Sequence, residues 1–341
     1  MPSLNLNALW FDEDDNAYLD RKPSQKAPPA RRKPQPDPTG LAADAAAEQE
    51  FAFSYQASRH ERQWIDDSLG SFYHGQVITD ILRQIKGGKE ASVYLCAANP
   101  DLQPDRSPYL AAKVYRPRRF RSLKNDHLYR EGRANLDADG NPITNDGMLH
   151  AIRKRTEYGR QLLHTSWIEY EYQTLMRLAA AGLDVPAPLG RGDNAILMAY
   201  IGSEDMAAPT LNSVTLPPAE ARLHFERLVH NLDQMLALRV VHADLSPFNI
   251  LYWEGEITLI DFPQAIDPLV NRSALNIFER DVRRVCEYFE PLGGLALQPR
   301  RLARDLWRKY DYPLRPDVHP GLLDDDDQAD RAYWEQLQSN G

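Results

Sequence analysis

The sequence predicts an α+β fold in which a strand-rich first part is followed by a helical second part. YLAAKVY (109–115) and AILMAYIG (195–202) have the length and apolar pattern of strands, and one segment with helical spacing (160–181) lies between them. LPPAEARLHFERLVHNLDQMLAL (216–238) and the stretches near 273–290 and 298–310 then read as helices. Strands gathered ahead of helices argue against a repeating βαβ series.

Taken in order, residues 1–61 read as a disordered tail, because 21–48 are rich in proline, alanine and charge with almost nothing bulky to bury. Ordered structure is expected from about residue 62, with one lobe over 62–202, a helical lobe over 203–312 and an acidic tail over 313–341. From Gln76 the chain reads as a helix or strand entry, a glycine turn at IKGGKEASVY (85–94) and then a strand. Residues 116–147 are polar and turn-rich, and form a long loop or a helix plus loop. Two prolines open the 216–238 helix, where the missing N–H costs nothing.

Composition narrows the class. The 341 residues include 43% hydrophobic residues, enough for a substantial core, and the net charge of −9 argues against wholesale nucleic-acid binding. Two cysteines, Cys96 and Cys286, are too few for a disulfide framework and fit a reducing cytoplasm. The N-terminal stretch lacks a signal-peptide pattern, and no apolar run approaches the ~18 residues that would span a bilayer. A cytoplasmic protein without membrane attachment is the expectation.

The chemistry concentrates in VVHADLSPFNILYWEGEITLIDFPQAID (240–267). Asp244 and Asn249 fall in a turn, five residues apart, flanked by the short strand-like pieces VV and IL. EITLIDF reads as a second strand that delivers Asp261 from another direction. Three oxygen donors, two of them anionic, suit a hard cation such as magnesium alongside phosphate groups. The spacing follows the pattern H-R-D-x-x-x-x-N then D-F-G, in which the first aspartate receives a substrate hydroxyl proton while the asparagine and second aspartate hold metal. Such a site needs a lysine on a strand and a glutamate on a helix to hold it. Lys113 is a charge inside YLAAKVY. Glu171 shares one helical face with Trp167, Leu175 and Leu178, whereas Glu169 points elsewhere. The turn at Gly87 and Gly88, with Lys89 and Ser92, offers backbone and side-chain groups to phosphate, although it is neither G-x-G-x-x-G nor a Walker A loop.

These pieces together resemble the RIO-type protein kinases. The resemblance lies in GKEASVY (88–94), AKVY (112–115), the W-x-E-x-E helix (167–171), HADLSPFN (242–249) and IDFPQ (260–264), and covers about residues 76–290. It implies a trimmed, two-lobed kinase fold without an activation segment, and an ATP- and magnesium-dependent serine/threonine kinase, with manganese as a substitute metal. On the same basis Lys113 would touch the ATP phosphates and Glu171 would pair with it. Gly87, Gly88, Lys89, Ser92 and Val93 would cover the nucleotide. Met198 to Gly202, with Tyr200 and Ile201, would hold adenine by backbone bonds. Asp244 would be catalytic, and Asn249 and Asp261 would bind metal. In some members the aspartate matching Asp261 itself accepts phosphate, giving an ATPase cycle. A protein substrate, or the chain itself, would be the acceptor.

Departures from ordinary kinases are visible. Ala243 replaces the arginine that pairs with a phosphorylated activation loop, and no A-P-E follows Asp261. The two losses are consistent with each other and imply no switching by activation-loop phosphorylation. Pro263 replaces the D-F-G glycine and stiffens the backbone there. Gly87 replaces the family's usual serine or threonine. Two other readings stay open. One is a small-molecule phosphotransferase of the aminoglycoside or choline kinase sort, disfavoured by Ser246 and Pro263–Gln264. The other is an ATP-binding ribosome-associated factor that contacts rRNA through RPRRFRSLK (116–124).

Overall fold

The computed structural model describes residues 51–88, 90–101, 107–116 and 131–314. The first lobe is built on an antiparallel sheet of strands β1 (Ile78–Gly87), β2 (Ala91–Ala98), β3 (Tyr109–Tyr115), β4 (Pro188–Arg191) and β5 (Ala195–Ala199), in the order β1-β2-β3-β5-β4. Successive side chains on a strand point to opposite faces, so the sheet has two cores. One face packs Tyr94, Cys96, Ala112, Val114 and Leu197 against helix α1 (Arg59–His74). The other packs Leu95, Ala111, Tyr115, Ile196 and Met198 against Trp167 and Ile168.

Helix α1 corrects the expected boundary. Ser58 caps it by accepting the Glu61 N–H at 3.3 Å. Ile65, Leu69 and Phe72 then recur at helical spacing and are buried, as are Phe51 and Phe53 ahead of the helix. Phe51 and Phe53 therefore belong to the core, and the ordered lobe starts ahead of residue 62. The remainder of the expected tails, 1–50 and 315–341, lies outside the described residues.

At the end of the expected loop (116–147) begins a helix, α2 (Asp146–Arg153), capped by Asn145. It leads into the long helix α3 (Glu157–Ala180), whose cap Thr156 accepts the Gly159 N–H at 3.0 Å. Trp167, Glu171, Leu175 and Leu178 are all buried, as their shared face requires.

The second lobe holds α4 (Pro218–Ala237), α5 (Ala274–Gly293) and α6 (Pro299–Arg308) around the hairpin β6 (Ile250–Trp253) and β7 (Glu256–Leu259). Its core runs through Leu228, Leu232, Leu236, Phe262, Phe278, Val282, Phe289 and Trp307. Asp184, just past α3, ties that helix's exit to this lobe. It accepts two bonds from Arg227 and one from Asn231, each at 2.6 Å, while its carbonyl accepts the Leu259 N–H at 2.7 Å. The protein is thus α+β and two-lobed, with α5 beginning at Ala274 soon after Asp261. Among the described residues no helix is long and apolar enough to cross a membrane.

Candidate active site

The register of the sheet builds one side of the site. Lys86 pairs with Val93, Val93 with Lys113, and Lys113 with Ile196, so these four residues form one row across the sheet on the face that also carries Met198. Lys113 is the cation in the middle of this apolar face. Its Nζ lies 2.6 Å from Glu171 Oε1 and 2.5 Å from Asp261 Oδ1. Glu171 is 1% exposed and its second oxygen accepts the Tyr115 hydroxyl at 2.7 Å, so both carboxylate oxygens are satisfied inside the core. Glu169 turns to Arg191 at 2.5 Å instead.

The hairpin builds the other side. The segment Ser246–Asn249 closes a tight turn through the Asn249 N–H to the Ser246 carbonyl, 2.9 Å. Asn249 Nδ2 donates to the Asp244 carbonyl at 2.8 Å and to Asp244 Oδ2 at 3.3 Å. With its nitrogen so occupied, the amide presents Oδ1, an acceptor, on its other side. Ile260 N–H donates to the Asn249 carbonyl at 3.0 Å, which sets the Asp261 segment beside the asparagine. His242 fastens the same two segments. Its Nδ1 accepts the Asp244 N–H at 3.3 Å and its Nε2 donates to the Ile260 carbonyl at 3.0 Å. That pairing fixes the neutral Nε2–H tautomer, in keeping with burial, which lowers the proton affinity of the ring.

Two backbone positions here are unusual. Ala243 and Asp261 have φ of 69° and 72°, left-handed values that side-chain-bearing residues keep only where the surroundings impose them. They are the residues just before one aspartate and at the other. The strand expected to reach Asp261 ends at Leu259, and the turn after it aims the carboxylate at Lys113. VV likewise forms only an isolated bridge, Val241 to Ile266.

The two aspartates titrate apart. Desolvation is the largest influence on Asp244 and pushes it up to about 7, against the opposing pull of Arg284 and Arg280. For Asp261 desolvation also acts upward, but Lys113 outweighs it and holds the carboxyl below its usual range. Lys113 in turn loses proton affinity to desolvation and regains more from Asp261 and Glu171.

Of the expected phosphate loop, Gly87 pairs with Ser92 across the β1–β2 hairpin, and the Gly88 N–H donates to the Ala91 carbonyl at 3.0 Å. A Cβ on Gly88 would stand 3.0 Å from that same oxygen, a close approach that favours glycine. Ser92 is a correction. It alternates with Val93, so its buried side chain joins the α1 face with Tyr94 and turns away from Lys113. Lys89 lies outside the described residues, as does the basic segment from residue 117 to 124. At the expected hinge, Tyr200 is buried and its hydroxyl donates to the Ser203 carbonyl at 2.9 Å, while the Ile201 carbonyl accepts the Ala208 N–H at 3.0 Å. Gly202 closes this connector at φ 139°, where a Cβ would strike the Met206 carbonyl.

Sequence reasoning missed three residues. Lys86 joins the Lys113 row and acts electrostatically on Asp261. Arg133 donates to the Pro263 carbonyl at 2.9 Å and lies 3.3 Å from the centre of the Tyr170 ring. Arg284 reaches Asp244 from α5 at 3.1 Å. Only the last left a signal, arginines four apart in RDVRRV beside a loop that lacks its own.

No group of three or more His, Cys, Asp or Glu side chains capable of holding a metal occurs among the described residues. Asp261 and Asn249 nevertheless fit magnesium. They offer hard oxygen donors on adjoining segments, and magnesium is usually held by one or two carboxylates plus substrate phosphates.

The RIO domain family matches residues 127–302, just over half of the chain. The chain belongs to the RIO family. RIO-type serine/threonine-protein kinase Rio1 of Thermoplasma acidophilum is 33% identical over 143 residues, covering 42% of this chain and 73% of that protein. Human serine/threonine-protein kinase RIO1 is 29% identical over 215 residues, 62% of this chain, but the chain spans only 34% of its length. Among solved structures, the Rio2 kinase of Chaetomium thermophilum in its ADP/Mg²⁺-phosphoaspartate complex matches with 17% identity and a TM-score of 0.45, over 79% of this chain and 75% of that one.

Proposed function

We propose that this RIO-family chain is an ATP- and magnesium-dependent serine/threonine kinase, acting on a protein hydroxyl or on itself. The observation that carries this is the run of contacts Glu171–Lys113–Asp261 beside the Asp244–Asn249 hydrogen bonds. It joins a cation for phosphates, a pair of metal-binding oxygens and a separate carboxylate for a proton.

In this reading Lys113 orients the phosphates and Glu171 keeps Lys113 extended from the sheet. Gly87, Gly88 and Val93 cover the nucleotide, and the backbone of Met198, Tyr200 and Ile201 takes the adenine edge. Asn249 and Asp261 would hold magnesium, which when bound neutralises charge on the phosphates. Asp244 accepts the proton of the attacking hydroxyl as the new P–O bond forms and the bond to ADP breaks. Its raised proton affinity suits a group that must take a proton near neutral pH. Two free, buried thiols, Cys96 and Cys286, agree with a reducing cytoplasm.

Asp261 supports a second acceptor. Its ionised carboxylate is 39% exposed and faces the Lys113 side of the site, where it could itself take the phosphoryl group. Incubation with γ-labelled ATP and magnesium separates the outcomes. Acid-stable label marks phosphoserine or phosphothreonine, and label released by hydroxylamine marks an acyl phosphate on aspartate. Absence of any Asp244-dependent transfer or hydrolysis would overturn the proposal.

A further inference from the structure

Helix α5 reaches into the site in a way the kinase reading leaves unused. Arg280 and Arg284 lie four residues apart and so share one face. Arg284 Nη1 stands 3.1 Å from Asp244 Oδ1, with its side chain 12% exposed. One turn earlier, Arg280 Nη2 donates to the Ala243 carbonyl at 2.5 Å and pairs with Asp281 at 3.1 Å, both side chains almost wholly buried. The helix therefore grips the backbone of residue 243 and the side chain of residue 244 at once. Residue 243 is where the H-R-D pattern places an arginine on the loop itself. Here it is alanine in a left-handed conformation, a shape held from outside.

We propose that Arg284 is a positioning residue for Asp244, restraining its carboxylate from α5. The inference rests on the kinase reading above. An ionised carboxylate offers about four acceptor positions. Arg284 takes one on Oδ1 and Asn249 Nδ2 takes one on Oδ2. Engaging both oxygens fixes the plane of the group as well as its place, and leaves a lone pair on each for an incoming hydroxyl. Rotation about the Cβ–Cγ bond, which a single contact would permit, is blocked.

The test compares wild type with Arg284→Ala, Arg284→Gln and Arg284→Lys by kcat, KM for ATP and melting temperature. Misplacing a reacting group by about 1 Å costs on the order of 10²-fold. Arg284→Ala is expected to lower kcat by about that factor with KM for ATP within about twofold, because the ATP-binding groups are untouched. Arg284→Lys keeps the charge without the planar fork and should recover about tenfold of the loss. Arg284→Gln reads the same loss should the alanine variant fail to fold. An unchanged kcat, a loss confined to KM, or a fall in melting temperature with kcat intact would each overturn the inference. A wild-type protein without Asp244-dependent turnover would instead bring down the kinase reading and this inference with it.

Discussion

Asp244 and Asp261 are the same residue type in one site, yet their surroundings move their proton affinities in opposite directions. Asp261 meets the Lys113 ammonium at 2.5 Å, and that contact overcomes desolvation. Asp244 has its cation, Arg284, at 3.1 Å, and desolvation prevails. Burial raises the proton affinity of both, so it is the neighbouring charges that separate them. Two carboxylates held apart in this way can divide the work, one staying anionic for metal and one taking up a proton.

The largest expected effect breaks the comparison on its catalytic side. Asp244→Ala should lower turnover by about 10²–10⁴-fold, the range of general-base catalysis, while ATP affinity measured by titration calorimetry stays near wild type. Wild-type rates in this variant would remove Asp244 from the mechanism.

Breaking the other side should cost stability. Glu171→Ala takes from Lys113 the more deeply buried of its two carboxylate partners and from the Tyr115 hydroxyl its acceptor at 2.7 Å, a loss worth about 1–3 kcal/mol. Chemical denaturation would read this as a lower midpoint with an unchanged slope. A variant as stable as wild type would show that Glu171 is not held in the core as described.

A finer test uses pH without nucleotide. Asp261 has a lowered folded-state proton affinity, so it contributes stability above the ordinary aspartate range and loses it as pH falls through its folded value. Asp244 has a raised one, about 7, so the folded state is favoured below the ordinary value and loses that advantage as pH rises toward 7. At pH 8, Asp261→Asn should therefore lower the melting temperature and Asp244→Asn should raise it. At pH 5 the gain from Asp244→Asn should shrink. Shifts of the same sign at pH 8 would contradict the contrast between the two groups.

The smallest effect lies away from the site. Asp184, held below its usual range because Arg227 and Asn231 outweigh desolvation, supports the junction of α3 with the second lobe only while ionised. Asp184→Asn should flatten the acid limb of the melting curve between about pH 5 and 3. An acid limb as steep as that of wild type would mean that other carboxylates govern it.

Much of the site was legible because its signals are local. Lys113 announced itself as a charge in a seven-residue apolar strand, and Glu171 as an acid on the stripe of Trp167 and Leu175. Asp244 and Asn249 stood at a fixed spacing in one turn. The α1 helix went unread because a proline-rich, charged tract precedes it and its apolar residues are sparse. Ser92 was misassigned because spacing along a loop does not say which face of a sheet a residue occupies. That depended on the pairing of Ser92 with Val114.

The sequence by itself determined the order of strands before helices, the family, and the identity of Lys113, Glu171, Asp244, Asn249 and Asp261, since each rests on residue type within a short window. Only the tertiary structure decided what charges surround each of them. Arg284 is 40 residues from Asp244, and Lys113 is 148 from Asp261. Coulombic attraction depends on distance through space, and the fold alone sets that distance.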